Sequence, residues 1–430
     1  MPTAMRTIFH LYFLSLGIVL SGCSLQKGNI SMEVENPAET VRSSALVILS
    51  RSAITKKANG KLAPYYEVNI HNKNIPVQFD DLDGDGQWDE LVFLHDFRPK
   101  EKLTVILRSS AIKPIGISGS KAHVRHQRLL ENGSFGPSLA ADTIDGKQKP
   151  TDFSKQKLPP FLTEGPAWEN DRVGFRLYFD TRNGKDIWGK LKPEMVLDSV
   201  GTNSTANYHA LNEWGMDLLK VGSSLGAGAL ALFIPDMEGK DTLVRVGGSN
   251  MENILYERVA DGPVRAIFRM HYKNWKLHPA LSPVSLTEEI QIWGGQLFYE
   301  SVVHVTGLPA NAALVTGIVN LYDAPENEIL EGKATAIFTH HKQSENKDKL
   351  AMAILLNKEE LQEFSTAKNS DTDIRNTYLV KMKTRNNEPN RFRFYAAWEK
   401  SVPALSDSAR FEAFLRDELK AFQQPIIVNE

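Results

Sequence analysis

Short runs in which apolar and polar residues alternate follow one another along most of the chain. Between residues 45 and 109 the runs are ALVILSR, YYEVNIHN, IPVQFDD, DELVFLHDF and KLTVILRS, each rich in branched and aromatic residues and separated by Gly, Asn, Lys or Pro. Period-two patterning of this kind predicts β-strands, and the spacing suits a small antiparallel sandwich over residues 43–115. Strand-like runs resume with VGFRLYF (173–179) and continue through ALALFIP, NILYERVA, VRAIFRMHYKNW, LTEEIQIW, QLFYESVVHV, ATAIFTHHK, LAMAILL and TYLVKMK to RFRFYAAW (391–398). So many hairpin-linked strands predict a large double-sheet sandwich within residues 116–430. The stretch 127–164 shows little periodicity and many turn formers, and reads as a long irregular excursion. One segment has helical spacing: Phe411, Phe414, Leu415, Leu419 and Phe422 recur every three to four positions between a Ser/Asp start and Pro425. The fold class is therefore mainly β, with a small and a large β unit and a C-terminal helix that packs on a sheet.

The chain begins with a polar start containing Arg6 and an apolar run, TIFHLYFLSLGIVL, of signal-peptide length. LSGCS follows and resembles the lipobox of bacterial lipoproteins, in which the cysteine is diacylated. Cys23 is the one cysteine in 430 residues. The resemblance implies a signal peptide over residues 1–23, lipid attachment at Cys23, a tether over 24–42, and anchoring to the outer membrane with the body facing the periplasm. With a single cysteine no intrachain disulfide can form, so the fold rests on its core. Fifty basic and fifty-two acidic residues leave a formal charge of −2, which gives no footprint for nucleic acid. Composition leaves the oligomeric state open.

Three stretches carry candidate chemistry. DDLDGDGQWDE places Asp81, Asp83, Asp85 and Asp89 at alternate positions of a tight turn, with Gly86 where calcium loops turn sharply. Val92 stands where a calcium hand would supply a bidentate Glu, so the expectation is a structural calcium loop closing a hairpin, or an acidic β-turn with solvated carboxylates. The stretch GPAWENDRVGFRLYFDTRNGKDIWGK (165–190) mixes Trp168, Glu169, Arg172, Arg176, Tyr178, Trp188 and Lys190. As a strand, it sets Arg172, Arg176 and Tyr178 on one face. Guanidinium forks suit carboxylates, and indole faces suit sugar rings. The alternative is an ion-pair network among Glu169, Asp171, Arg172 and Arg176. YHALNEWGMDLLKVG adds Tyr208, His209, Trp214, Asp217 and Lys220, and AHVRHQR adds His123 and Arg125. No HExxH or CxxC spacing occurs, GSSLGAG lacks the end of a phosphate loop, and no cofactor for catalysis is expected.

The runs AWENDRVGFRLYF, DIWGK, YHALNEWGMDLLKVG, SLGAGAL, VRAIFRMHYKNW, HHKQS and KLAMAIL, with DLDGDGQWDELVF upstream, resemble a family of lipoproteins and secreted proteins from polysaccharide-degrading Bacteroidetes, catalogued as a domain of unknown function. The resemblance implies a large domain like the galactose-mutarotase supersandwich and a role on uronate-rich glycans. The run from His126 to Trp168 is longer than the family pattern, which bears on the pocket's rim. Residues and resemblance together lead to an expected enzyme, an oligosaccharide dehydratase or lyase that β-eliminates on an anionic, uronic-acid-containing oligosaccharide. Such chemistry needs a cation for the carboxylate, a base and an acid. Arg172 or Arg176 fits the first role, His209, His123 or Tyr208 the second, and Lys190, Lys220 or Tyr178 the third. Arg125, Trp168, Glu169, Trp188, Trp214 and Asp217 are expected to hold the sugar. The other readings are a glycoside hydrolase using Glu169 with Asp217, a mutarotase, or a glycan-binding lipoprotein without activity.

Overall fold

The computed structural model describes residues 29–429, apart from 115–118, 204–206, 238, 249, 280, 368–372 and 385–387. Cys23, the leader and the first residues of the expected tether lie outside the described residues. The rest of that tether is structured: Asn29–Glu35 is a strand at the heart of the small unit, paired along its length with Lys102–Ser110. Its Met32 and Val34 alternate into the core, which the polar look of the segment as a whole concealed.

The small unit is a sandwich of a five-stranded and a three-stranded sheet around a core that includes Val47, Leu49, Tyr66, Phe93 and Leu107. A short helix, Arg51–Lys57, follows the strand Arg42–Ser50, capped where the Ser50 hydroxyl accepts from the Ala53 N–H at 3.1 Å. The final strand, Ile427–Asn429, returns to pair with Asn29–Glu35. The small unit thus extends beyond the expected 43–115 at both ends and ties the C-terminus to the first strand.

In the large unit a nine-stranded antiparallel sheet faces two five-stranded sheets across one continuous apolar core. Strand Val284–Trp293 illustrates how the sequence builds it: Leu286, Ile290 and Ile292 turn inward, while Glu289 and Gln291 turn outward. Ala141–Asp145, inside the stretch expected to be irregular, forms the edge strand of the nine-stranded sheet. LNEWGMDLLKVG contains the short strand Gly215–Asp217.

Helix Ser408–Gln423 is where the spacing predicts it, with the Asp407 side chain capping its first turn. Its Phe411, Leu415 and Leu419 are buried against the outer side of the nine-stranded sheet, each worth about 1.5–3 kcal/mol. Leu46 and Leu94 of the small unit pack on the same outer side. The nine-stranded sheet is therefore covered on both faces.

Candidate active site

Five short strands make the sheet that carries most of the candidate residues, in the order Gly215–Asp217, Lys185–Lys190, Val173–Leu177, Ala167–Asn170, Ala122–Arg125. Alternation sends Val124, Trp168, Phe175, Ile187 and Met216 into the core between the sheets. It sends Arg125, Glu169, Arg176, Asp186, Trp188, Lys190 and Asp217 to the outer face. Register aligns them further, with Arg176 opposite Asp186 and Trp188 opposite Asp217. Gly215 permits the last pairing, because a Cβ there would meet the Gly189 carbonyl at 1.7 Å and its φ is +135°. Residues 191–203 and 207–214 then roof this face, with Leu197 and Val200 packed on Trp188 and Ala167.

Several expected site residues are what holds the roof down. Glu169 is fully buried and its Oε1 accepts the Val196 and Leu197 N–H groups at 2.7 and 2.8 Å, while its Oε2 binds the Lys190 ammonium. Burial lowers the Lys190 pKa and Glu169 opposes that shift. Arg125, also fully buried, donates to the Leu197, Leu162 and Gly165 carbonyls and to the Thr163 hydroxyl. His123 bridges Asp198 at 3.2 Å and Asp261 at 2.9 Å; burial works against its charge, but these two carboxylates raise its pKa to about 10. Glu169 Oε1 and Arg125 Nε are both spent on roof backbone. These residues brace the site and leave no group for a substrate.

Beside them lies a cluster with unfilled bonding capacity. One Nη2 of the buried Arg176 donates to Asp186 Oδ2, to Asp217 Oδ2 at 2.8 Å and to the Tyr178 hydroxyl at 2.9 Å. The Tyr178 hydroxyl donates to Asp186 Oδ2 at 3.0 Å. Two carboxylates thus share one guanidinium. Burial, and then the neighbouring Asp186 charge, raise the Asp217 pKa well above the usual carboxylate range, while Arg176 acts in the opposite direction. Asp217 Oδ1 and Arg176 Nε are buried without a hydrogen-bond partner.

At the rim, His209 Nδ1 lies 3.3 Å from Asp217 Oδ2 and 3.8 Å from Glu345 Oε2, with half of the side chain open to solvent. Partial burial, and then the Arg176 charge, lower the His209 pKa. Its ring stands 4.5 Å from that of Tyr208, whose phenol burial keeps protonated by raising its pKa. The backbone fixes the pair, since the Asp217 N–H donates to the Tyr208 carbonyl at 2.9 Å.

The structure therefore brings together Arg176, Tyr178, Tyr208, His209 and Asp217, and separates them from other expected members. Arg172 is exposed in the turn before Val173, about 13 Å along the strand from Arg176. Arg176 is buried and its charge is matched by Asp186 and Asp217, so its Nη2 is not free for a uronate. Lys220 is exposed three residues beyond Asp217. Trp168 has no exposed face to offer a sugar, being wedged among Phe175, Phe268 and Tyr299 in the core. Trp188 is likewise buried, under Tyr208 and Trp214, and only Trp214 keeps part of its surface. A hydrolase pair of Glu169 and Asp217 is disfavoured because Glu169 is consumed by the roof.

Asp186, Glu345, Arg182 and Glu164 were missed. Asp186 was legible, because it stands two residues before Trp188 on one strand face. Glu345 was not: it arrives from a distant loop through its N–H bond to the Leu218 carbonyl at 2.7 Å. Arg182 pairs with Glu164 and Asp180 and lies 4.1 Å over the Tyr178 ring, flanking the centre.

The acidic loop does close a hairpin, between Gln78–Asp80 and Glu90–Phe97. Carboxylate oxygens of Asp81, Asp83 and Asp89 lie within 4.8 Å of one another, and Asp85 stands outside that group. The same carboxylates accept the loop's own N–H groups, from Gly84 and Gly86 to Asp81 and from Leu82 to Asp89.

Residues 34–428 match the family described as a domain of unknown function, DUF4861, and the chain belongs to that family. A relative from Formosa agariphila, named uncharacterized protein P7, is 21% identical over 322 residues, covering 70% of this chain and 71% of its own. Among solved structures, an α-mannosidase from Enterococcus faecalis V583 aligns over 93% of this chain at 9% identity and a TM-score of 0.46. A glycosyl hydrolase family 38 protein from Enterococcus faecalis aligns at 10% identity and a TM-score of 0.47. The chain spans about half the length of these two, 46% and 47%. A Klebsiella pneumoniae structure provisionally described as an aldose 1-epimerase aligns over 70% of this chain and 96% of its own, at 11% identity and a TM-score of 0.33. Likenesses at this level carry no activity across.

Proposed function

We propose that this protein is a carbohydrate-active enzyme working by proton transfer at the Asp217–His209 centre, and that its reaction is β-elimination on a uronic-acid-containing oligosaccharide. The observation that carries the reading is a half-exposed, neutral-leaning imidazole whose Nδ1 faces a buried carboxyl held by Arg176. Asp217 orients the ring so that Nε2 is the base. Nε2 removes the proton α to the uronate carboxylate, and that electron pair forms the carbon–carbon double bond. The bond from the neighbouring carbon to its oxygen breaks, and the departing oxygen takes a proton from the Tyr208 phenol. Arg176 is a positioning residue.

The test is ultraviolet absorbance over time with saturated uronate oligosaccharides, because elimination creates a double bond conjugated to a carboxylate. A rise supports elimination. A second reading, mutarotation of a free sugar, is favoured by one observation: Arg176 is already neutralised, and taking the proton of the anomeric hydroxyl while protonating the ring oxygen, whose bond to the anomeric carbon breaks and re-forms, needs an acid and a base but no carboxylate clamp. A change in optical rotation without any rise in absorbance would select it.

Two further parts of the proposal concern the periphery. Lipid attachment at Cys23 anchors the body to the outer membrane on the periplasmic side, tested by loss of membrane fractionation in Cys23→Ser. A structural calcium ion on Asp81, Asp83 and Asp89 is tested by a calcium-dependent rise in Tm that Asp83→Asn removes.

A further inference from the structure

Residues 342–349 join strand Ala334–His341 to strand Leu350–Asn357 and carry the Glu345 side chain to the edge of the Asp217 centre. The loop is held from both ends. Gln343 and Ser344 are fully buried; Gln343 Oε1 accepts the Leu321 N–H at 2.9 Å, and the Ser344 carbonyl accepts the Lys347 N–H at 2.9 Å. Asp348 accepts from the Trp398 indole N–H at 3.1 Å and pairs with Lys400 at 2.6 Å. Between these anchors the Glu345 N–H donates to the carbonyl of Leu218, the residue after Asp217, at 2.7 Å.

Among the described residues the Glu345 carboxylate pairs only with His209, whose Nδ1 lies 3.8 Å from Oε2, and its side chain is 42% exposed. The same Nδ1 lies 3.3 Å from Asp217 Oδ2, so two acids converge on one ring nitrogen and leave Nε2 to the substrate. The two acids are not equivalent. Asp217 is buried and shares Arg176 Nη2 with Asp186, a setting in which burial and the second carboxylate favour keeping its proton. Glu345 stands at the edge of water. Of the other charges that reach His209, Arg176 works against a positive ring, while Asp186 and Glu164 favour it less than Glu345 does; the Tyr208 ring stands beside the imidazole.

We propose that Glu345 is a positioning residue for the proton transfer: it faces Nδ1 as the counter-charge to the imidazolium that forms when Nε2 takes the substrate proton, while Asp217 fixes the direction of the ring. The inference rests on the reading of His209 as the base. Placement divides the two roles. A buried carboxyl that already answers a guanidinium can orient a ring through a hydrogen bond but offers it little further negative charge. A part-exposed carboxylate 3.8 Å away offsets the new positive charge without a large cost of desolvation. The bond that anchors the loop beside Asp217 is made by the Glu345 backbone, so a change of side chain leaves the loop in place.

NMR titration of the protein with isotope-labelled histidine, the His209 signal being identified by its loss in His209→Ala, tests the proposal without substrate. The ring should titrate about one pH unit lower in Glu345→Gln than in wild type, with Tm nearly unchanged, and Glu345→Asp should recover part of that difference. Asp217→Asn should move it less than Glu345→Gln does. In ultraviolet assays with saturated uronate oligosaccharides, the acid limb of the Glu345→Gln pH–rate profile should move to lower pH and its plateau fall about three- to tenfold. The proposal is overturned if His209 titrates in Glu345→Gln as it does in wild type, or if Asp217→Asn moves it more. Because the titration needs no turnover, a wild type that gives no rise in absorbance counts against elimination, and the titration still decides the role of Glu345.

Discussion

Two buried ionic groups share the outer face of the five-stranded sheet, and they differ in how completely their bonding is filled. Lys190 and Glu169 form a closed pair: the carboxylate has taken two backbone N–H groups, and the ammonium also donates to the Asn170 carbonyl at 2.7 Å. Arg176, Asp186 and Asp217 form an open group, with two acids on one guanidinium, an unpartnered oxygen and an imidazole at the edge of solvent. Both look alike as a list of charged residues. On the proposed function, this leftover capacity for protons is what makes the second group a reacting centre and the first a brace.

The largest expected effect separates the two by activity. His209→Ala should lower the rate by about 10²- to 10⁴-fold, as loss of a general base does, while its half-exposed position leaves Tm nearly unchanged. Because His209 has a lowered pKa, the wild-type rate should hold through neutral pH and fall only below the ordinary histidine value of 6.5. A pH–rate profile checks this.

Glu169→Gln should do the reverse. Breaking a buried pair and leaving the Lys190 charge unmatched costs about 3–5 kcal/mol, read from urea unfolding, while molecules still folded keep their rate per site.

A subtler distinction comes from Asp217. Its raised pKa means that its contribution to stability is fully present below the unfolded carboxylate value and is lost as pH rises through the folded value. Asp217→Asn should therefore narrow the stability gap to wild type, or reverse it, as pH increases. A further pH effect is expected at the roof. His123, raised to about 10, contributes stability below its unfolded value of 6.5 that fades as pH climbs toward 10, and His123→Gln should flatten that slope in thermal melts.

Much of the fold could be read in the chain because period two survives wherever one sheet face is buried, as in Val284–Trp293, and the helix declared itself through Phe411, Leu415 and Leu419 with Asp407 before them. The first and last strands escaped notice: Asn29–Glu35 shows only two inward apolar residues, and Ile427–Asn429 is too short to carry a period. At the site, strand alternation placed Arg176 with Tyr178. It could not tell that Trp168 faces the core or that Arg125 faces a roof, because both depend on what covers the sheet. Glu345 reaches the centre from another part of the chain, and local pattern holds no trace of it.

The most direct test compares the open and closed groups in one assay. Ultraviolet absorbance on saturated uronate oligosaccharides would be followed for wild type, His209→Ala and folded Glu169→Gln at equal concentration. The account predicts a rise with wild type and Glu169→Gln and none with His209→Ala. A rise that persists in His209→Ala, or one that vanishes in folded Glu169→Gln, would contradict it and move the chemistry away from Asp217.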